Sequence, residues 1–388
     1  MGDIVNLVID YRGKTPLKLG GSWSQNGYRA LSAKNIKTGA IVNEDSIRFV
    51  DEELYRRWMK DEVQRGDIFV TSEAPFGQIY YWNSDEKIVL SQRLFCLRLS
   101  EEVCSKFVYY YMITNTFQAE LDGRATGTTV IGLRQPELLK CKINLPSLAE
   151  QQRIASILSP LDEKIEVNRR INSNLEEQAK ALFKSWFIDF EPFKGGKFVD
   201  SELGKIPEGW KVVNLLDVSL LFDKRRKPLS GQQREKMEKL YPYYGATSIM
   251  DYVDDYIFNG VYLLMGEDGS VVKSNGSPYL QYVYGKFWSN NHAHVMQGKN
   301  GYSTEMLWCL LSLTNVSSIV TGAVQGKISQ QSMQMIMIPL PTQAVCERFN
   351  IILNPIFAEI RSLSESSMRL SALRDALLPK LMSGEIEV

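Results

Sequence analysis

IASILSPLDEKIEVNRRINSNLEEQAKALFKSW, residues 154–186, and FNIILNPIFAEIRSLSESSMRLSALRDALLPKL, residues 349–381, are one pattern written twice, at a constant offset of 195 in a chain of 388 residues. The correspondence runs from 127–190 to 322–385 without a gap. It pairs Gly127 with Gly322, Leu133 with Ile328, Pro146 with Pro341, Arg153 with Arg348 and Pro160 with Pro355. A repeat of this kind decides architecture before any local reading does. Apolar residues recur in steps of four and three: Ile154, Leu158, Leu161, Ile165, Leu175, Ala179, Leu182 and Trp186 in one copy, and Phe349, Leu353, Ile356, Ile360, Leu363, Leu370, Leu377 and Leu381 in the other. That spacing is a heptad seam. Two seams in one chain predict a long antiparallel coiled coil, with Asn168, Asn172, Ser367 and Arg374 as polar interruptions that penalise slipped registers. Pro160 and Pro355 predict a break or kink in each helix, with Ser159 and Asn354 placed to cap a restart.

The segments upstream of the seams, 1–126 and 205–321, share little identity with each other. Both read as mixed α and β structure. Strand-like runs occur at 67–70, 78–82 and 261–265, separated by Gly, Asn and Asp turns. A duplicated frame thus carries two different modules, which suits an asymmetric target with two unlike halves. Gly195-Gly196 and the run 203–210 read as a boundary between them.

Composition narrows the class. With 44% hydrophobic and 23% charged residues the chain is an ordinary globular protein, and no apolar run approaches membrane-spanning length. Five scattered cysteines without a Cys-x-x-Cys pair signal neither a disulfide framework nor a zinc cluster, so a reducing cytoplasm is expected. The net charge of zero argues against a uniformly basic nucleic-acid binder, but 223–239 holds seven basic residues against three acidic ones, a phosphate-contacting patch.

Catalytic motifs fail on inspection. Asn354-Pro355-Ile356-Phe357 lacks the second proline of an amino-methyltransferase motif and lies in the seam. Gly322-Ala323-Val324-Gln325-Gly326-Lys327 is one residue short of a P-loop and is followed by Ile328. The two histidines, His292 and His294, alternate as on a strand and are expected on one face, within reach of a base edge or structural in role; no metal site is expected. The chain therefore reads as non-catalytic.

Three further stretches, Leu145-Pro146-Ser147-Leu148-Ala149-Glu150-Gln151-Gln152-Arg153-Ile154, Leu203-Gly204-Lys205-Ile206-Pro207-Glu208-Gly209-Trp210 and Asn291-His292-Ala293-His294, make the whole chain resemble the specificity (S) subunits of type I restriction–modification systems. The first module lacks the Ile-Pro-Glu-Gly-Trp lead-in of the second. The resemblance implies an α+β fold with a pseudo-twofold internal repeat: two globular mixed α/β target recognition domains separated by a long antiparallel coiled coil of two conserved helices. It divides the chain into target recognition domain 1 (1–146), the central conserved helix (147–190), a linker (191–204), target recognition domain 2 (205–341) and the C-terminal conserved helix (342–388). It also implies a bipartite double-stranded DNA target, two methyltransferase subunits that carry S-adenosylmethionine, restriction subunits, no cofactor in this chain and no membrane partner. Pro160 to Trp186 spans roughly 40 Å at about 1.5 Å per residue, on the order of one turn of DNA. From residue chemistry and loop position the expected DNA contacts are Arg12, Lys14, Gln92, Arg93, Arg124 and Thr128 in the first module, and Lys224, Arg225, Arg226, Lys227, His292, Lys327 and Gln330 in the second. The rival reading is a coiled-coil protein-assembly adaptor without DNA sequence specificity.

Overall fold

The computed structural model describes residues 1–127, 131–322 and 325–388. These form two compact units, one of 1–166 with 368–388 and the other of 167–367.

The first unit is organised by two sheets. Strands β1 (Val5–Asp10), β2 (Tyr28–Leu31), β3 (Arg48–Val50), β4 (Ile68–Thr71), β5 (Ile79–Tyr81), β6 (Val89–Leu90) and β7 (Leu94–Leu99) pair in the orders β1-β7-β4-β5 and β3-β2-β6. In the larger sheet the period of two sends neighbouring side chains to different cores. Phe69 packs with Ile9, Trp58 and Cys96, whereas Ile68 and Val70 pack with Phe95, Phe107 and Leu121. A sheet covered on both faces needs apolar residues in succession, and this is why β4 reads as an unbroken apolar run.

A long helix, α1 (Leu148–Phe187), follows. Its early residues Ile154 and Leu158 belong to the core of the first unit, together with Leu378 and Leu381 near the end of the last helix. Its later residues Ala179, Phe183 and Phe187 belong to the core of the second unit.

In the second unit the strands are β8 (Ser219–Leu221), β9 (Tyr241–Tyr244), β10 (Ile249–Val253), β11 (Phe258–Asn259), β12 (Tyr262–Gly266), β13 (Leu280–Val283), β14 (Lys286–Ser289) and β15 (Ala293–Gly298). They pair as β8-β15-β12-β13 and β10-β9-β14-β11. The larger sheet repeats the order of the first unit strand for strand, and the smaller repeats it with one added edge strand, β11. The mixture of directions is repeated as well: β2 runs parallel to β6 and β9 parallel to β14, while β3 and β10 pair antiparallel. The two modules are thus one topology under two sequences. The last helix, α2 (Gln343–Ser383), brings Phe349, Leu353, Phe357 and Ile360 against the late residues of α1 within this unit.

The helices pair antiparallel, as the seams predict. In the first unit Arg374 meets Asp162 at 2.7 Å, so this interruption is an ion pair across the helices. In the second, the Asn168 amide donates to the Ser367 hydroxyl at 3.2 Å and that of Asn172 to the Ser364 hydroxyl at 2.9 Å. The predicted seam residues Ile154, Leu158, Phe349, Leu353 and Ile360 are buried; Leu161, Ile165, Leu175, Leu182, Ile356, Leu363, Leu370 and Leu377 are half-buried.

Two expectations require correction. No break occurs at either proline: Pro160 lies inside α1 and Pro355 inside α2, so each arm is one continuous helix. Each proline is exposed, as are Ser156 and Ile351 four residues earlier, so the carbonyls that lose their helical donor lie on the solvent side of the helix, where leaving them without a helical partner costs little. The stretch 191–204 is not a free linker. It carries a 3-10 turn, Glu191–Phe193, and the strand Phe198–Ser201, which pairs with Gly204–Pro207. Phe190 and Phe193 stand edge-on to Trp210 at 5.5 and 5.1 Å between ring centres, and that apolar contact holds the segment down.

Candidate nucleic-acid interface

Strand register identifies equivalent residues of the two modules. β7 pairs with β4 as Leu94↔Thr71 and Phe95↔Val70; β15 pairs with β12 as Ala293↔Gly266 and His294↔Met265. His294 therefore holds the position of Phe95, and His292 that of Arg93. Asp10 lies opposite Phe95 at the end of β1; just past the end of β8, Asp223 opens a 3-10 turn, and its carboxylate accepts from the Val295 amide and reaches His294. The segment after each aspartate is basic: Arg12 and Lys14 follow Asp10, and Lys224 to Lys227 follow Asp223.

In the first module the region is a cleft of about 250 Å³ at the ends of β2 and β6, lined by Trp23, Lys34, Arg48, Ser91, Gln92 and Arg93 among others. Arg48 lies over the Trp23 ring at 5.2 Å. Arg93 is paired with Glu73 at 3.3 Å and adopts a left-handed backbone with φ of 63°. In the same module the Arg12 guanidinium is held by both carboxylate oxygens of Asp10 at 2.8 Å and stacks on Phe95 at 4.0 Å.

The second module replaces that stack with a buried ionic network. His294, 1% exposed, has Nδ1 2.6 Å from Asp223 and Nε2 2.8 Å from the Ile328 carbonyl. Both partners only accept hydrogen bonds, and a ring that donates from both nitrogens is the imidazolium. Burial pulls its pKa down, but the hydrogen bond and charge of Asp223, with help from Ile328 and Glu267, outweigh that and hold it above the ordinary value. For Asp223 burial pushes upward, and His294, the Val295 amide and Gln330 outweigh it, so the carboxyl stays below its usual range. Arg226 completes the network, 2.6 Å from Glu267 and 3.6 Å from Asp223, and donates to the Ala293 carbonyl at 2.6 Å.

Asp223, Glu267 and His294 offer ligand atoms within 4.8 Å of one another, a spacing a metal ion could use. Their chemistry here is otherwise: neither ring nitrogen keeps a lone pair for a metal, and a guanidinium neutralises the carboxylates. The network binds three loops together, the basic segment from Asp223, the turn at Glu267–Asp268 and the segment at 327–330.

The thirteen expected contacts divide by what holds them. Arg12 is committed to Asp10; Lys14 donates to the Trp58 carbonyl at 2.5 Å over the Tyr11 ring; Arg226 is only 11% exposed; Gln330 donates to Asp223 at 2.7 Å. Arg225 donates to the Ile257 carbonyl at 2.5 Å and lies over Phe258. Arg124 sits on a helix, paired with Glu120 and Glu137. Gln92, Arg93, Lys224, Lys227, His292 and Lys327 face solvent, with Lys327 3.6 Å from Glu267. Thr128 lies outside the described residues. His292 and His294 do not share a face: His292 precedes β15 and pairs with Asp268 at the surface, while His294 is inside. Sequence reasoning missed Trp23, Lys34 and Arg48, which only the fold brings to the cleft. It also missed the carboxylates Asp223 and Glu267, for which the sole signal was an acidic residue leading a basic run.

Comparison with known proteins follows the same lines. The family model described as "Type I restriction modification DNA specificity domain" matches residues 1–177 and 207–361. The MjaIX specificity subunit of a type I restriction enzyme from Methanocaldococcus jannaschii is 30% identical over 347 residues, covering 84% of this chain and 78% of the relative. The HindI specificity subunit from Haemophilus influenzae is 22% identical over 413 residues, covering 84% of this chain and 88% of its own. A crystal structure of the type I restriction–modification S subunit from M. genitalium shares the fold at a TM-score of 0.52 and 17% identity, over 98% of this chain and 94% of that one. Repeated modules, paired helices and a family match over most of the length lead to one assignment: the chain belongs to the family of type I restriction–modification specificity subunits.

Proposed function

We propose that the chain recognises a bipartite, asymmetric double-stranded DNA site, one half per module, and that its helices dock the methyltransferase and restriction subunits that act there. One observation carries this reading above the others: a single strand order occurs twice, with different side chains at equivalent rim positions. A repeated frame offers the same approach to DNA twice, and unlike side chains make the two readings unlike. The chain itself performs no chemistry. Methyl transfer belongs to two partner subunits, which hold S-adenosylmethionine. Residues 1–146 and 205–341 serve as the recognition domains, and 147–190 and 342–388 as the conserved helices.

The test is a module exchange. Replacing 1–146 by the corresponding segment of a relative, in cells carrying the partner subunits, changes one half of every methylated site and leaves the other half intact. Change in both halves, or in neither, defeats the proposal. An adaptor without DNA specificity is separated by salt, because DNA affinity falls steeply between about 50 and 200 mM whereas peptide docking through apolar contacts does not.

A further inference from the structure

We propose that Arg93 and His292 are the equivalent base-reading residues of the two modules, and that Arg93 reads a guanine in the first half-site; this rests on the function proposed above. The two residues occupy one position in the shared topology, immediately before the strand that β4 or β12 pairs with. Each is braced from the same place, two residues beyond the end of that partner strand: Glu73 follows Thr71 and Asp268 follows Gly266. Each side chain is about half exposed, 49% for Arg93 and 46% for His292. Ser91, Leu94, Asn290 and Ala293 are buried, so each turn presents only two residues to solvent, Gln92 with Arg93 in one module and Asn291 with His292 in the other.

The brace leaves the reading atoms available. Glu73 approaches Arg93 at Nε, and among the described hydrogen bonds none uses its terminal nitrogens, the fork that matches O6 and N7 of guanine in the major groove. Asp268 engages Nδ1 of His292, and among the described hydrogen bonds none uses its Nε2. The Glu73 carboxylate held against the Arg93 guanidinium orients it and also repels phosphate, which favours a base edge over the backbone as its partner. Arg93 holds a left-handed backbone, φ 63°, that side-chain-bearing residues adopt rarely, and such local strain collects at functional positions. The cleft beside it supplies Gln92 and Lys34 on the same rim. The inner position contrasts with the rim: Asp10 and Asp223 are the same residue in both modules, as a structural support can be, while the rim pair changes from Arg–Glu to His–Asp.

The experiment is selection from a random DNA duplex pool with the complex purified through a tag on this chain, followed by affinity and salt titration on the selected site. Arg93→Lys keeps the charge and the strained backbone but loses the fork. It relaxes one base pair of the first half-site by roughly ten- to a hundredfold, with non-specific affinity and salt slope unchanged and the second half-site intact. His292→Arg shifts one base pair of the second half-site toward guanine. The inference is overturned if Arg93→Lys and Arg93→Ala leave base preference intact, and equally if Arg93→Ala weakens all sequences alike and lowers the salt slope by about one, the mark of a phosphate contact. Thermal melting of each variant separates loss of fold from loss of reading. A wild-type complex that enriches no sequence at all overturns the proposed function, and this inference with it.

Discussion

Nδ1 of His294 lies 2.6 Å from Oδ2 of Asp223, inside the second module at a position where the first module has a phenylalanine ring. One fold has thus solved the same place twice. In the first module an aspartate takes an arginine that stacks on Phe95; in the second it takes an imidazolium from the opposite strand, and Arg226 serves as a second cation. The second solution ties a basic loop to the core through titratable groups.

The second unit is therefore expected to carry a pH-dependent stability from the His294–Asp223 pair that has no histidine counterpart at the Asp10–Arg12–Phe95 stack of the first. His294, raised in the fold, contributes fully below its unfolded value of about 6.5 and loses that contribution as pH rises through the folded value. Asp223, depressed in the fold, contributes above about 3.9 and loses its share as pH falls through the folded value. The pair is strongest between about pH 4 and 6.5. Asp223→Asn lowers stability by about 3 kcal/mol near pH 6, and the deficit shrinks as the solution is made alkaline. A melting difference that stays constant from pH 5 to 9 contradicts this.

Chelation is expected to do nothing. With both imidazole nitrogens donating hydrogen bonds, prolonged exposure to EDTA leaves the melting temperature of the chain unchanged. A drop on chelation, restored by one divalent ion, assigns a metal to Asp223, Glu267 and His294 instead.

Burial along α2 sets a sharp contrast between two isoleucines of one helix. Ile360 is 6% exposed and Ile351 is 73% exposed. Ile360→Asp buries a carboxylate among apolar side chains and costs several kcal/mol, whereas Ile351→Asp changes stability by less than about 0.5 kcal/mol. Urea unfolding of the two variants decides it; equal losses mean that the helix face has been assigned wrongly.

Gly322 and Gly127, paired by the repeat, both take positive φ, 94° and 122°. A Cβ at Gly322 lies 2.2 Å from the Gln325 carbonyl oxygen, too close for any rotamer to relieve. Gly322→Ala is expected to lower stability by about 1–3 kcal/mol and to loosen the Thr321–Lys327 bridge, visible as faster amide exchange at Lys327. Unchanged exchange at Lys327 argues against a strained loop.

The seam was legible because helical periodicity survives in side chains: every predicted position from Ile154 to Leu377 is buried or half-buried. Asn168 and Asn172 were legible for the same reason, as polar residues in an apolar row. The shared topology of the modules was not, since β pairing is non-local and a strand such as Ile68-Phe69-Val70 states that it is buried without stating its neighbour. At the candidate interface the letters offered Arg93 and His292 as exposed polar groups, and the fold leaves both at the surface. It was illegible at Arg226, counted with its basic neighbours as a phosphate contact, because only the fold shows Glu267 and Asp223 waiting for it.

The first compact unit is discontinuous: it needs 368–388 to close over 1–166, whereas the second is one uninterrupted stretch. Order of synthesis then becomes order of completion. As the chain emerges, residues 167–367 have all their partners before the first unit has its own, and 1–166 must wait with Ile154 and Leu158 uncovered until Leu378 and Leu381 arrive. A chain cut short before Met368 thereby damages the module that begins at Met1, not the one nearest the cut.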